Sequence, residues 1–235
     1  KIICVAESAK ESHIKFGYAA SKMVVIPNGL DFTEFEFDNF ARLAIRAEHR
    51  LEDSVVIGCV GRYHEDKGQD VLVKAASLVL QRNPNVKFVL VGRGCDSSNF
   101  ALVKLIKDFG LSGQFVCLGE REDIIRCLSS FDVFCMPSRS EGFPNCLLEA
   151  MSLDIPCVAT DVGDVRYLAS DSMTLAEPGH PVSLADSINE MLSMSSEERD
   201  RIGVGTGRKI RETFSIDKTR GNFNQLYVNL VGKKL

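Results

Sequence analysis

The run Val55-Val56-Ile57-Gly58-Cys59-Val60-Gly61-Arg62-Tyr63-His64-Glu65-Asp66-Lys67-Gly68 decides how the chain is read. Its first six residues carry no charge and are mostly β-branched, the composition of a short strand covered on both faces. A glycine ends the strand and a charged loop follows. From Asp66 a helical stripe begins, with Val71, Leu72, Ala75, Ala76, Leu78 and Val79 on one side, and it stops before Pro84. Strand, glycine loop and helix make the first half of a parallel crossover unit.

Working outward, the same unit recurs. Further strands are expected at Ile2–Val5, Val24–Ile26, Lys87–Val91, Phe115–Leu118, Val133–Met136 and Cys157–Ala159. Helices are expected between and after them. Ser8 and Glu11 read as a capping box, Ser98 to Phe109 as a helix closed by Gly110, and Pro181 as the first residue of another. Ser195 and Glu198 form a second capping box before a helix that Gly203, Gly205 and Gly207 should weaken, each by about 1 kcal/mol against alanine. A last helix carries Phe223, Leu226, Tyr227 and Leu230 on one side. Strand–helix repeats with right-handed crossovers predict an α/β fold with a doubly wound, parallel, Rossmann-like sheet. Ile26-Pro27-Asn28-Gly29-Leu30-Asp31 has turn chemistry and is the best linker, so about 30 residues precede one α/β domain.

Composition narrows the function. The 235 residues are 45% hydrophobic, ample for a core, and 28 basic against 32 acidic residues give a net charge of −4. That balance, with no dense basic run, argues against nucleic acid as the main partner. No apolar stretch is long enough to span a bilayer. Lys1 opens directly into a strand without a methionine, and reads as the start of a cut chain. The eight cysteines form no C-x-x-C pair and no zinc spacing, which suits reduced, structural thiols in a reducing compartment.

In open α/β sheets ligands bind beyond the carboxyl ends of the strands. Five successive strand ends here open into glycine-rich or charged loops: Gly61–Gly68, Gly92–Gly94, Gly119–Asp123, Pro137–Pro144 and Thr160–Asp164. Arg62 and Lys67 are two cations on one short loop, a pairing suited to a diphosphate. Glu141 and Glu149 stand eight apart across the start of a helix that Pro144 begins, so both carboxylates are expected to face one cleft. The helix amides near Gly142–Asn145 present positive dipole to a phosphate. Complete G-x-G-x-x-G, P-loop, G-x-S-x-G and H-E-x-x-H motifs are all missing, and the histidines are scattered.

The series Pro27–Asp31, Gly61-Arg62…Lys67-Gly68, Glu141-Gly142-Phe143-Pro144-Asn145-Cys146-Leu147-Leu148-Glu149-Ala150-Met151 and Ala159–Asp164 resembles retaining glycosyltransferase family 4, over essentially the whole chain. The resemblance implies one half of a GT-B fold. Residues 1–30 would be a remnant of the acceptor domain with its hinge, 31–215 the nucleotide-sugar-binding domain, and 216–235 the crossover helix. It implies that Arg62 and Lys67 hold the donor diphosphate and stabilise the leaving group, with Glu141 reading sugar hydroxyls as the third catalytic residue. Gly142, Phe143, Pro144 and Asn145 would contact the transferred sugar or its phosphate, and Glu149 the ribose. The Arg121 loop would lie along the base, with Gly61 and Gly92 also in the donor site. Fixed cations and a helix dipole can stabilise a leaving diphosphate, so no metal and no cofactor is expected beyond the UDP- or GDP-linked donor itself. The implied acceptor is a saccharide or lipid-linked saccharide reached through the rest of the protein, in bacterial polysaccharide synthesis. The implied location is cytoplasmic, with at most peripheral contact at the inner membrane face. Asp164 departs from the glycine of many members, and His180 from a common acidic residue. A nucleotide-sugar epimerase of GT-B architecture and a non-catalytic nucleotide-sugar-binding module remain the alternatives.

Overall fold

The computed structural model describes residues 1–169 and 173–232. The decisive run forms β3 (Val55–Val60), and the strands expected after it form β4 (Val86–Val91), β5 (Phe115–Gly119), β6 (Val133–Met136) and β7 (Cys157–Thr160). A two-residue β8 (Leu175–Ala176) was not expected; it is too short to carry a pattern. These six strands make one parallel sheet in the order β5–β4–β3–β6–β7–β8. Three strands run outward in one direction, and the chain then returns to lay β6 beside β3 and runs outward in the other. This is the doubly wound order, and its switch point lies between β3 and β6.

Helices cover both faces. Against one face lie α3 (Gln69–Val79), α4 (Phe100–Asp108) and α8 (Pro181–Ser193), burying Leu72, Ala76, Leu102 and Ile188 on Phe88 and Leu90. Against the other lie α2 (Asn39–Glu48), α5 (Ile124–Ser129) and α6 (Asn145–Ser152), whose Ile45, Leu128 and Leu147 meet Val56, Val89 and Phe134. Apolar residues on both sides of each strand account for the continuous hydrophobic runs. Beneath α2, Arg42 and Arg46 both pair with Asp132, which also accepts the Val56 amide at 2.7 Å.

The first residues form a separate two-stranded parallel sheet, β1 (Ile2–Cys4) with β2 (Met23–Val25), crossed by α1 (Glu7–Lys15). The linker after β2 is tied to the junction of α9 (Ser196–Thr213) and α10 (Ile216–Val231). Leu30 donates to Phe214 and accepts from Ile216 at 2.9 Å each, and Thr219 donates to the Pro27 carbonyl at 3.1 Å. Residues 233–235, the end of the expected crossover helix, lie outside the described residues.

Four local expectations are corrected. The helix expected from Asp66 is split, with a 3-10 turn at Glu65–Lys67, then Gly68 in the left-handed region at φ 67°, then α3. The helix expected from Ser98 starts at Phe100, because the Asn99 side chain, not a serine, caps it. Ser8 and Glu11 form no capping box, since α1 begins one residue before Ser8, behind Ala6, which has no side-chain acceptor. The glycines of α9 do not simply weaken it, because Gly203 and Gly207 let it press against Asp154 and Met151 at the end of α6. The second capping box, Ser195 with Glu198, forms as expected.

Candidate functional site

The strand-end loops lie along the carboxyl edge of the sheet, and those after β3 and β6 meet at the switch point. Hydrogen bonds stitch the strand-end loops there to one another. The Gly61 amide donates to Val91 at 2.8 Å, the Gly92 amide to Gly119 at 2.7 Å, and the Arg139 amide to Asp66 at 2.7 Å. Gly68 lies so close to β6 that a Cβ would sit 2.0 Å from the Pro137 carbonyl oxygen. No side chain fits at that position, and the left-handed turn there needs none. The Arg139 guanidinium spans the same gap, with two 2.7 Å bonds to the Asp70 carboxylate and one to the Glu65 carbonyl. That contact holds the Asp70 carboxyl below its ordinary range.

Across this braced seam the Lys67 ammonium reaches Glu141 Oε1 at 2.6 Å, and the Ser138 hydroxyl donates to the same oxygen at 2.7 Å. The Glu141 side chain is 9% exposed and that of Lys67 27%. Lys67 comes from the loop after β3 and Glu141 from the loop after β6, so the pair straddles the switch point. Arg62, on the same loop as Lys67, is exposed and has no side-chain partner among the described residues. The loop after β3 thus carries one cation fixed by a carboxylate, Lys67, and one, Arg62, without a side-chain partner among the described residues. Phe143 and Pro144 are buried against the core, whereas Asn145, at the start of α6, is exposed and accepts from the Asn28 amide group at 3.0 Å.

Glu149 sits one turn into α6. It lines a groove of about 480 Å³ with Phe35, Glu36, Asp38 and Ile124, and burial pushes its carboxyl above the ordinary value. No donor to its carboxylate is found among the described residues. The expectation that Glu141 and Glu149 share one cleft treated eight residues as helix, whereas α6 starts only at Asn145, so that angular arithmetic does not hold. Glu141 turns to Lys67, and Glu149 turns to the groove beside the β5 loop. Cys146 lies near all three groups. Burial first, then the Glu141 charge, pushes its thiol up to about 12, with Lys67 pulling the other way and Glu149 adding to the rise.

Arg121 is at the expected edge but not free. Its guanidinium makes two 2.7 Å bonds to Asp123, which raise its pKa further. His64 accepts the Asp66 amide through Nδ1 as the cap of the 3-10 turn, and His180 does the same for Ser183 at the start of α8. Sequence reasoning did not find Ser138, Arg139 or Asp70 as parts of the site, although Ser138 and Arg139 lie in a strand-end loop already singled out. No cluster of histidine, cysteine or carboxylate groups that could hold a metal ion occurs among the described residues.

A family model described as "Glycosyl transferases group 1" matches residues 54–194, the span from the start of β3 to the end of α8. The chain belongs to the group 1 glycosyltransferases. Among curated members it is 30% identical over 242 residues to the UDP-Gal:alpha-D-GlcNAc-diphosphoundecaprenol alpha-1,3-galactosyltransferase of Escherichia coli, covering 100% of this chain and 61% of that protein. It is 26% identical to the capsular polysaccharide biosynthesis glycosyltransferase CapM of Staphylococcus aureus, covering 91% of this chain and 57% of CapM. The chain therefore spans about three fifths of the length of these glycosyltransferases. The crystal structure of Anabaena HepE in complex with UDP and glucose superposes with a TM-score of 0.88 over 97% of this chain and 62% of that one, at 23% identity, a likeness of fold. The sheet described above is the Rossmann-like half of a GT-B group 1 glycosyltransferase.

Proposed function

We propose that this chain is the donor-binding part of a retaining, metal-independent glycosyltransferase of family 4. It takes a nucleoside-diphosphate sugar, UDP- or GDP-linked, and passes the sugar to a saccharide or lipid-linked saccharide in bacterial polysaccharide synthesis. The observation that carries this reading is the Lys67–Glu141 pair across the switch point, with Arg62, exposed and without a side-chain partner among the described residues, on the same loop as Lys67. A diphosphate laid across that crevice meets two cations, and the α6 amides add positive dipole. As the bond from the anomeric carbon to the phosphate oxygen breaks, negative charge grows on the departing nucleoside diphosphate, where these groups stabilise it. Glu141 is anchored by Lys67 and Ser138 and so presents its other oxygen, Oε2, to sugar hydroxyls. The half-buried Glu149, with no donor to it among the described residues, accepts from ribose hydroxyls.

The relatives support this reading. One is named for a UDP-galactose donor and one for capsular polysaccharide synthesis, and HepE has been solved with UDP and with UDP-glucose. Transfer would require an acceptor-binding part beyond this chain, which spans about three fifths of the length of such relatives, so we expect this chain alone to bind donor and transfer little. The proposed site of action is cytoplasmic, peripheral at most to the inner membrane face; no helix among the described residues is long and apolar enough to cross a membrane.

Calorimetry of the chain with UDP and GDP tests the proposal. At least one should bind, and Arg62→Ala should weaken it by about 1.5–3 kcal/mol, the value of a charge-assisted hydrogen bond. Lys67→Ala alone would strand the Glu141 carboxylate, so Lys67→Ala is best combined with Glu141→Gln, which should weaken binding at least as much. Folded protein that binds neither nucleotide, or variants of unchanged affinity, would overturn the reading.

A further inference from the structure

Asp164 occupies the N-cap position of α7 (Val165–Leu168), yet its carboxylate serves a different helix. Oδ2 accepts from the Glu7 amide at 2.7 Å and Oδ1 from the Ser8 amide at 2.9 Å, across more than 150 residues of sequence. These are two of the amides that the start of a helix leaves without an internal partner. Ala6, the residue that should cap α1, has no side-chain acceptor, so Asp164 supplies from outside what a cap supplies locally. Its charge also opposes the helix dipole favourably.

The same residue is fastened to the candidate site. Its amide donates to the Gly142 carbonyl at 3.0 Å, and its own carbonyl takes the Tyr167 and Leu168 amides. The preceding Gly163, in the left-handed region at φ 55°, runs so close to the site loop that a Cβ would lie 2.3 Å from the Glu141 carbonyl oxygen. Asp164 is 7% exposed. On the far side of the loop, the Asn28–Asn145 bond makes a second, weaker tie to the linker.

We propose that Asp164 is a positioning residue that joins the β1–α1–β2 unit to the Glu141–Gly142 loop, so that the seating of α1 and the order of that loop are energetically coupled. If the unit withdraws, a buried carboxylate loses two donors and the loop loses the element that backs it. α1 has no fully buried residue, and the Asp164 contact seats it together with the packing of Ala6 and Ala9 against the main core. The link to nucleotide binding rests on the reading of this loop as the donor site. Because coupling between two sites is reciprocal, a ligand on the loop must then tighten α1, and a seated α1 must favour the ligand.

Hydrogen exchange read by mass spectrometry, without ligand and with saturating UDP or GDP, tests this on the whole chain. In the ligand-free arm, Asp164→Ala should speed exchange in residues 6–10 by roughly tenfold to a hundredfold, the range expected for a lost charge-assisted bond. It should also speed exchange in 139–146, while peptides of β3 and β4 keep their protection. Asp164→Asn, which retains one acceptor oxygen and the side-chain shape, should fall between the two and guards against a variant that fails to fold. In the liganded arm, the wild type should gain protection at residues 6–10 and Asp164→Ala should lose that gain. Unchanged exchange at 139–146 in both variants overturns the coupling, whatever the nucleotide does. Absence of binding in the wild type overturns the donor-site reading instead, and leaves the ligand-free arm to decide the role of Asp164.

Discussion

Burial raises the Glu149 carboxyl above its ordinary value, and no donor among the described residues offsets the cost. A carboxyl raised by folding holds its proton more tightly in the folded than in the unfolded chain. Its contribution to stability is therefore complete below the ordinary carboxylate range and declines as pH rises through the raised value. Asp70 has the opposite sign, because Arg139 lowers it, so its contribution is present above the ordinary range and is lost as pH falls. Glu149→Gln should accordingly melt higher than wild type at pH 7, with the advantage shrinking on acidification toward pH 4. The same substitution should raise the Kd for the nucleoside diphosphate about fivefold, the difference between a charged and a neutral hydrogen bond. A melting temperature that drops at pH 7 would mean that a donor already satisfies the carboxylate. Residue by residue, Lys67, Arg62 and Glu141 stood out in the sequence as charges in strand-end loops, whereas Glu149, inside α6, was singled out by its eight-residue spacing from Glu141 and by the resemblance. The partners Ser138 and Arg139 were not singled out, and the pairing of Lys67 with Glu141 joins positions 74 apart that only the topology brings together. Asp164 was visible only as a departure from a resemblance, since nothing local announces a cap for a helix at the other end of the chain.

At the scale of elements, the strands between Val55 and Thr160 were readable because each is an apolar run bounded by glycine, proline or charge. Helix starts were less readable, since several residues near each start can cap and only the fold selects one. α9 shows the limit most clearly. Its three glycines look alike in sequence, yet a Cβ on Gly203 would lie 1.9 Å from the Asp154 carbonyl oxygen and one on Gly207 2.6 Å from that of Met151, whereas one on Gly205 meets nothing within 4 Å. Alanine gains about 1 kcal/mol over glycine in a helix interior, and overpacking against backbone costs about 1–3 kcal/mol. Gly205→Ala should therefore stabilise the chain by up to about 1 kcal/mol, and Gly203→Ala should destabilise it by about as much or more. Urea melts of the two variants check this; a shift of the same sign in both would show that close packing of α9 on α6 does not set the cost.

For the molecule as a whole, the six-stranded sheet is self-sufficient and the first unit is not. The main sheet buries both faces under helices from its own chain, whereas β1 and β2 form a two-stranded sheet, a size that is marginal in water without further packing. That packing here comes from Ala6 and Ala9 against the main core, from the Asp164 contact, from the linker, and from α10, which faces β2 across a groove of about 380 Å³ lined by Val24, Ile26, Leu226 and Leu230. The groove is open, and α10 has no buried residue. Local stability follows the density of buried apolar contact, so the molecule should open in two stages. Native-state exchange in rising urea should show the amides of β1, β2 and α10 exchanging through a partial opening at low free energy. Those of β3, β4 and β6 should exchange only near global unfolding. The doubly wound sheet was legible from the repeat of strand, loop and helix. This unequal partition was not, because the β1 and β2 runs look as apolar as those of the core, and only the count of paired neighbours separates them. If all these strands shared one opening free energy, the first unit would be an integral part of the main fold, and the coupling through Asp164 would be between parts that never separate.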